Sequence, residues 1–200
     1  MQTYSHAIFN ATIGKQLERR GVRPMYAALV IGSLVPDLPL TVLTIAFVQQ
    51  NGGFGQTPNE MFGAAYDNMY FNDPVWITGH SLFHSPPMIL LWLLLGWFVG
   101  WKLRQGWGKW FFWFAVGNAL HSALDIVTHH NDGPLLFYPF DWTARFSSPI
   151  SYWDPNYYGA YVSSVEHGLN LLFLGYFIWL WWKSRKERIA AAESAGQLDG

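Results

Sequence analysis

One apolar stretch constrains this chain more than any other feature. From Trp110 to Val127 it is almost long enough to cross a bilayer, yet it carries His121 and Asp125 and runs directly into His129 and His130. On a helix His121, Asp125 and His129 are spaced by four and share a face. Ionisable groups in an apolar span are costly, so they face a protein interior or an aqueous cavity and mark function. Imidazole and carboxylate on one face are ordinary ligands for zinc or a similar divalent ion.

The rest of the chain agrees with a membrane setting. Half of the 200 residues are apolar, only 12% are charged, and there are 12 tryptophans. That is too little charge for an ordinary soluble domain. The chain has no cysteine, which excludes thiolate metal sites, disulfides and cysteine nucleophiles. A net charge of −1 provides no basic surface for nucleic acid. No cleavable signal peptide is visible, because the first apolar run starts late and contains Pro36-Asp37.

Four segments approach the ~20 residues a transmembrane helix needs. They are Met25–Val48, Pro87–Trp101, Trp110–Thr128 and Gly168–Trp182. Eleven of the 12 basic residues lie before the first, between the second and third, or after the fourth; Arg145 is the exception. The positive-inside rule makes that side cytoplasmic, with both termini inside. The expected architecture is an all-α, multi-pass helical bundle with about four transmembrane helices. It comprises one domain over residues 1–188 and a polar tail over 189–200. Two long, aromatic-rich connections, Gln49–Pro86 and His129–Glu166, lie outside. They fold as caps or rest as a belt on lipid headgroups. Ser5–Arg20 reads as an amphipathic helix on the inner surface, with Ser5 as a weak cap.

The polar residues cluster toward the outer half of this layout. His80 and His84 are four apart, so one helical turn presents both to one point. Asp37 sits mid-span beside a proline that frees backbone groups, and a carboxylate there needs a partner. Glu166 and His167 read as a solvated helix start. His129 and His130 are adjacent, so one of them points away from the shared face. Each residue has an ordinary structural explanation alone; their coincidence favours a metal site.

In order along the chain these residues form a pattern: Ser5-His6, then Gly32-SLVPD-Leu38, then His80-SLFHS, then His121-SALDIVTHHNDGPLLFYPF-Asp141. The pattern resembles the YdjM-like family of membrane-bound metal-dependent hydrolases, distant relatives of zinc-dependent phospholipase C and P1-type nucleases. The resemblance covers about two-thirds of the chain, from His6 to Phe140. It implies that His6, Asp37, His80 or His84, His121 and Asp125 are metal ligands. Departures are visible: Ser81 stands where the family commonly has arginine, and Pro39 where it has a second acid. The secreted relatives' further zinc uses an HxxxE pair and a free amino terminus. Here Glu166 and His167 are adjacent, and no counterpart of the amino-terminal ligand is expected. Charge counting also places His6 on the cytoplasmic side, away from the other ligands.

If metal binds, the donor set points to hydrolysis. Zinc with an open position lowers the pKa of water toward ~7 and polarises phosphoryl oxygens. Asp125 or Asp37 would then bridge metals or act as base, and His129 or His130 would protonate the leaving group. The expected function is a membrane-embedded metal-dependent hydrolase of a phosphoester, with a lipid-like substrate and the lipid bilayer as its surroundings. The alternative is a structural or assembly subunit that packs on other membrane subunits, any metal serving only to staple the bundle. A haem carrier is disfavoured by the carboxylates. No GxSxG elbow or phosphate-cradling glycine loop appears.

Overall fold

The computed structural model describes residues 1–53, 55, 57 and 61–196, with side chains as far as 189. Part of the first outer connection, including Glu60, and the last four residues of the expected tail lie outside the described residues. The described chain is helical, with a single isolated bridge between Leu135 and Arg145 and no strand. Its helices are α1 (Thr3–Arg19), α2 (Tyr26–Leu34), α3 (Asp37–Gln50), α4 (Ala64–Asn72), α5 (Pro74–Ser81), α6 (Pro86–Trp97), α7 (Gly106–Thr128) and α8 (Gly159–Gly196). A π-helical segment, Phe98–Lys102, extends α6, and a 3-10 turn, Pro155–Tyr157, precedes α8.

α1, the α2–α3 pair, α6, α7 and α8 run alternately between two ends of a bundle. α2 packs on α7 and α1, α6 on α7, and α1 on α8. At one end lie the basic residues. Arg19 sits over Tyr176, and Lys102 and Lys109 over Trp97 and Trp101, as an interfacial arrangement of cations and aromatic rings requires. The opposite end is the site end, where His84, Asp125 and Glu166 lie.

One unbroken segment, Tyr26–Gln50, is by itself long and apolar enough to cross a membrane. Pro74–Ser81 with Pro86–Lys102, bent by 49°, makes a second if the pair is counted as one broken span. Among the described helices this is one clear candidate and one bent pair, where the sequence pattern led us to expect four spans. The reason is visible in α7, which is 23 residues long but devotes its inner face to Asn118, His121, Ser122 and Asp125. α8 has the length too, but Glu166, His167 and Asn170 dilute its apolar stretch before the charged segment begins.

The distribution of side chains is inverted relative to a water-soluble protein. Fully buried positions are largely polar: Ser5, His6, Asn10, Ser33, Ser81, His84, Asn118 and His121. Leu90, Leu91, Leu94, Leu171, Leu172, Ile178, Trp181 and Trp182 are exposed. Apolar surface on this scale is stable only where something apolar covers it. Small residues let the polar interiors meet. A Cβ at Gly32 would lie 2.0 Å from the Phe114 carbonyl oxygen, and one at Gly117 2.3 Å from that of Leu29. Such close backbone approach is how helices associate in lipid, where hydrophobic driving force between them is absent.

Two expectations are corrected here. α1 is no surface helix: its buried face is Ser5, His6, Asn10, Thr12 and Gly14, and Ser5 accepts a hydrogen bond from Asn170 rather than capping. The N-cap is Gln2, without a side-chain cap bond. Because α1 forms a fifth segment of the bundle, residue 1 lies at the site end, beside Thr128, while α8 leaves from the basic end. Residues 1 and 196 therefore do not share one end, as a count of four spans would require.

The described parts of the two long connections fold over the site end as a cap. α4 and α5 lie in the first. In the second, Leu135 and Tyr138 pack against Ile77 and Met88. Arg145 donates to the Gly133 carbonyl and stacks on Tyr70 and Phe71. The cap also presents a rim of aromatic side chains, with Phe140 85% exposed and Phe137, Trp142 and Trp153 exposed beside it.

Gly117→Ala places a methyl group inside a backbone contact. It should lower thermal stability in detergent by about 1–3 kcal/mol, the usual cost of overpacking. Gly175→Ala, which meets nothing within 4 Å, should leave the melting temperature unchanged or slightly raised.

Candidate metal centre

The centre is assembled by three breaks in regular helix. The first is at Pro36, which has no N–H to continue the helix. There Leu38 N–H bonds to the Val35 carbonyl, a three-residue turn, and the Ser33 carbonyl accepts from His121 Nδ1 at 2.7 Å. The same break turns Asp37 inward at the start of α3. The second is the corner between α5 and α6. Ser85 donates to the Tyr138 carbonyl, Trp92 to that of Leu82, and Ser122 to that of His84, and together they fix His84. The third is the end of α7, where His121 and Asp125 occupy the last two turns.

These elements bring Asp37, His84, His121 and Asp125 to one point, with one ligand atom from each lying within 4.8 Å of all the others. His84 Nε2 and His121 Nε2 are 3.0 Å apart. His121 Nε2 is 3.1 Å from Asp125 Oδ2 and 3.3 Å from Asp37 Oδ1. His84 Nε2 is 3.5 Å from Asp37 Oδ1 and 3.7 Å from Asp125 Oδ2. His84 and His121 are fully buried, and Asp125 is 4% exposed.

The proton positions follow from the outer partners. His84 Nδ1 lies 2.6 Å from the His80 carbonyl, and His121 Nδ1 2.7 Å from that of Ser33. A carbonyl only accepts, so both Nδ1 atoms carry hydrogen and both neutral rings turn a lone pair at Nε2 toward the centre. Four acceptors therefore converge in a buried space and require positive charge, as a proton or a metal ion, between them. Backbone carbonyls that fix the tautomer are the usual outer support of metal-binding histidines. The spacings also fit: bonds of ~2.0–2.1 Å to tetrahedral zinc put ligand atoms ~3.3 Å apart, in the middle of the five separations above.

Other sequence-selected residues take distinct places. His6, separated from the site by charge counting, reaches it because α1 starts at the site end. Its ring stacks on His121 with centroids 3.6 Å apart, and its Nε2 lies 3.0 Å from Asp125 Oδ1. That approach is out of line for a hydrogen bond, and both ring nitrogens of His6 are buried without a partner. The Met1 nitrogen is 2.9 Å from Asp125 Oδ1, a contact for which no counterpart was expected. Thr3 donates to Asp37 Oδ2 at 2.5 Å.

The His80 and His84 rings lie side by side, with centroids 4.6 Å apart, but only His84 joins the cluster, because α5 ends at Ser81 and the chain turns before His84. His80 instead faces Tyr70, with Nδ1 3.2 Å from the phenol oxygen, and Tyr70 donates to the Asp132 carbonyl. His130 binds the Ser148 carbonyl at 2.5 Å and stacks on Tyr157. His129 stays near the centre: its Nε2 is 3.8 Å from Asp125 Oδ1 and its Nδ1 is 3.0 Å from Asp132 Oδ2. Asp132 is a residue that sequence reasoning missed, although the His-x-x-Asp spacing signalled it. Burial would raise its carboxyl, but the His129 imidazole and the Trp153 indole N–H beside it hold it below the usual carboxylate range. Glu166, read as solvated, is 3% exposed and accepts from Gln2 N–H. His167 does lie exposed, against Tyr4.

Fold and site together define an all-helical membrane protein with a buried His/Asp cluster able to hold a metal ion. Over residues 1–194 the chain matches the family described as YdjM inner membrane protein, and it belongs to that family. No curated protein and no solved structure matches it.

Four converging acceptors repel one another once a cation between them is removed. Chelation should therefore lower the melting temperature of the purified protein by several degrees, and re-addition of a divalent ion should restore it. His121→Ala should melt at one temperature with or without chelator.

Proposed function

We propose that the cluster binds a divalent transition metal and makes this protein a membrane-embedded metal-dependent hydrolase of phosphoesters. The observation that carries this reading is the meeting of His84 Nε2 and His121 Nε2, 3.0 Å apart, with both Nδ1 atoms bound to carbonyls. Asp37, His84, His121 and Asp125 would hold the ion, with His6 in reach as a further ligand. Zinc suits a set of imidazoles and carboxylates without thiolate. Such an ion supplies Lewis acidity, which activates water near neutral pH and polarises a phosphoryl oxygen.

The surrounding residues have separable tasks. Asp125 Oδ1, turned from the histidine pair toward His6 and Met1, is placed to take a proton. His129 lies between the two carboxylates, Nδ1 3.0 Å from Asp132 Oδ2 and Nε2 3.8 Å from Asp125 Oδ1, and is placed to act as general acid. Thr3 and the Ser33 carbonyl hold Asp37 and His121 in place. The resemblance to the YdjM-like family, read as distantly related to phospholipase C and P1-type nucleases, favours phosphoester chemistry, and the exposed apolar helix faces support a lipid-level location. In this reading α7 and α8 cross the bilayer beside the Tyr26–Gln50 span and the bent α5–α6 pair, the basic end lies in the cytoplasm, and the centre lies toward the outer face.

A second reading has an observation of its own. Four protein ligands complete a tetrahedral shell, the closed pattern of structural zinc. The metal would then staple the bundle of a structural or assembly subunit.

Elemental analysis and turnover separate the two. Wild type should carry about one equivalent of metal, and Asp125→Ala and His121→Ala less than a tenth of that. On bis(p-nitrophenyl) phosphate the wild type should show metal-dependent hydrolysis. Asp132→Asn should retain the metal and lose roughly 10–100-fold in kcat, within the range of general acid–base contributions. Bound metal without any phosphoesterase activity would favour the staple; no bound metal would end both readings.

A further inference from the structure

Beside the cluster lies a cleft of about 330 Å³ between α1, the second outer connection and the start of α8. Its walls are Phe9, Ile150, Val162, Val165 and Leu169, and its inner end is Met1 and Thr128. The inner end adjoins the metal centre directly, since the Met1 nitrogen is 2.9 Å from Asp125 Oδ1 and 3.4 Å from Thr128 Oγ1. The outer end opens on exposed residues of α8: Tyr161 and Val165, the latter 62% exposed. Val165, Leu169 and Leu172 follow one another at spacings of four and three, so they share one helix face. That face continues down α8 as exposed apolar surface, which in a membrane protein lies against lipid chains.

One polar group interrupts the apolar wall. Glu166 is 3% exposed, and Gln2 N–H satisfies its Oε1 at 2.8 Å. Its Oε2 is buried with no hydrogen-bond partner. A buried acceptor left without a donor calls for an explanation, such as a ligand that supplies one.

We infer that this cleft seats one alkyl chain of an amphiphile drawn from the bilayer, whose polar head reaches the Asp125 side of the cluster and donates a hydrogen bond to Glu166. The volume lies at the low end of small-molecule sites, which suits a single chain segment rather than a bulky head. The apolar walls select the chain, and the unpartnered Oε2 selects heads that carry a hydroxyl or an N–H. The inference deepens the phosphoester reading by naming the substrate class, an amphiphile with a hydrogen-bond donor near its phosphate.

The test uses the full-length protein in nanodiscs containing a phosphatidylglycerol with a diazirine in one acyl chain. After irradiation, adducts are mapped by peptide mass spectrometry, and bound metal is measured on the same sample. Adducts should concentrate at Phe9, Ile150 and Leu169. Leu169→Trp should reduce those at Phe9 and Ile150 at least ten-fold with metal content unchanged, and Val165→Trp, at the exposed mouth, should do the same without burden on the fold. Wild type should take the phosphatidylglycerol probe several-fold better than its phosphatidylcholine counterpart, whose head has no donor. Glu166→Gln should abolish that preference. Labelling at Phe9 and Ile150 no stronger than at Leu91, on α6, would mean annular lipid only and overturn the inference. So would adducts unaffected by either tryptophan, cross-links to a second copy of the chain, or a head-group preference that survives Glu166→Gln. Chain adducts without bound metal would sink the hydrolase reading alone, and bound metal without adducts this inference alone.

Discussion

The structure depends on one electrostatic constraint. Two imidazole lone pairs and two carboxylates are brought within 4.8 Å of one another, in a largely buried space. Acceptors do not attract acceptors, so the helices that carry them are held together by everything around the centre until a cation joins them. This explains why the surrounding bonds are so specific. The Ser33 carbonyl, the His80 carbonyl, Thr3 and Ser122 each fix one ligand or its backbone. Their combined effect is to aim ligand atoms at a point rather than at each other's donors.

The bundle makes room for this by turning ordinary packing inside out. Polar and small side chains face inward, and leucine and tryptophan face outward. In water the outward face would drive aggregation, but in lipid it costs nothing, and the polar interior becomes the source of specificity. Gly32 and Gly117 allow α2 and α7 to touch backbone to backbone at the level just beneath the ligands. The cap over the site end encloses the centre, with Tyr70, Arg145 and Asp132 linking the two outer connections. The cleft between α1 and α8 leaves one side of that enclosure open to the surroundings of the bundle.

Much of the site was legible in the residues. His121 and Asp125 declared themselves by spacing on an apolar segment, and Asp37 by its cost and its proline. The His80/His84 pair was half legible: the spacing of four was real, but only a three-dimensional corner decides which ring turns inward. His6 was misplaced for a physical reason. Charge counting assigns ends to segments it recognises as spans, and α1, whose buried face is serine, histidine, asparagine and threonine, is too polar to be recognised. Once α1 is a fifth segment, His6 and the other ligands fall at the same end. Of the four expected spans, Tyr26–Gln50 is the one unbroken segment among the described helices that is long and apolar enough by itself, because inward-facing polar residues dilute α7. Asp132 was signalled by its spacing of three from His129 and was passed over, whereas Glu166 needed the fold, because its partner Gln2 lies at the far end of the chain.

The central claim is that a metal ion, and not a shared proton, joins the four acceptors. X-ray absorption at the metal edge of the purified protein tests it most directly. The expected spectrum shows a first shell of nitrogen and oxygen at ~2.0–2.1 Å, as for zinc with imidazole and carboxylate ligands, with the outer-shell scattering of at least two imidazole rings. A spectrum without imidazole scattering, or a preparation with no stoichiometric metal to measure, would contradict the account.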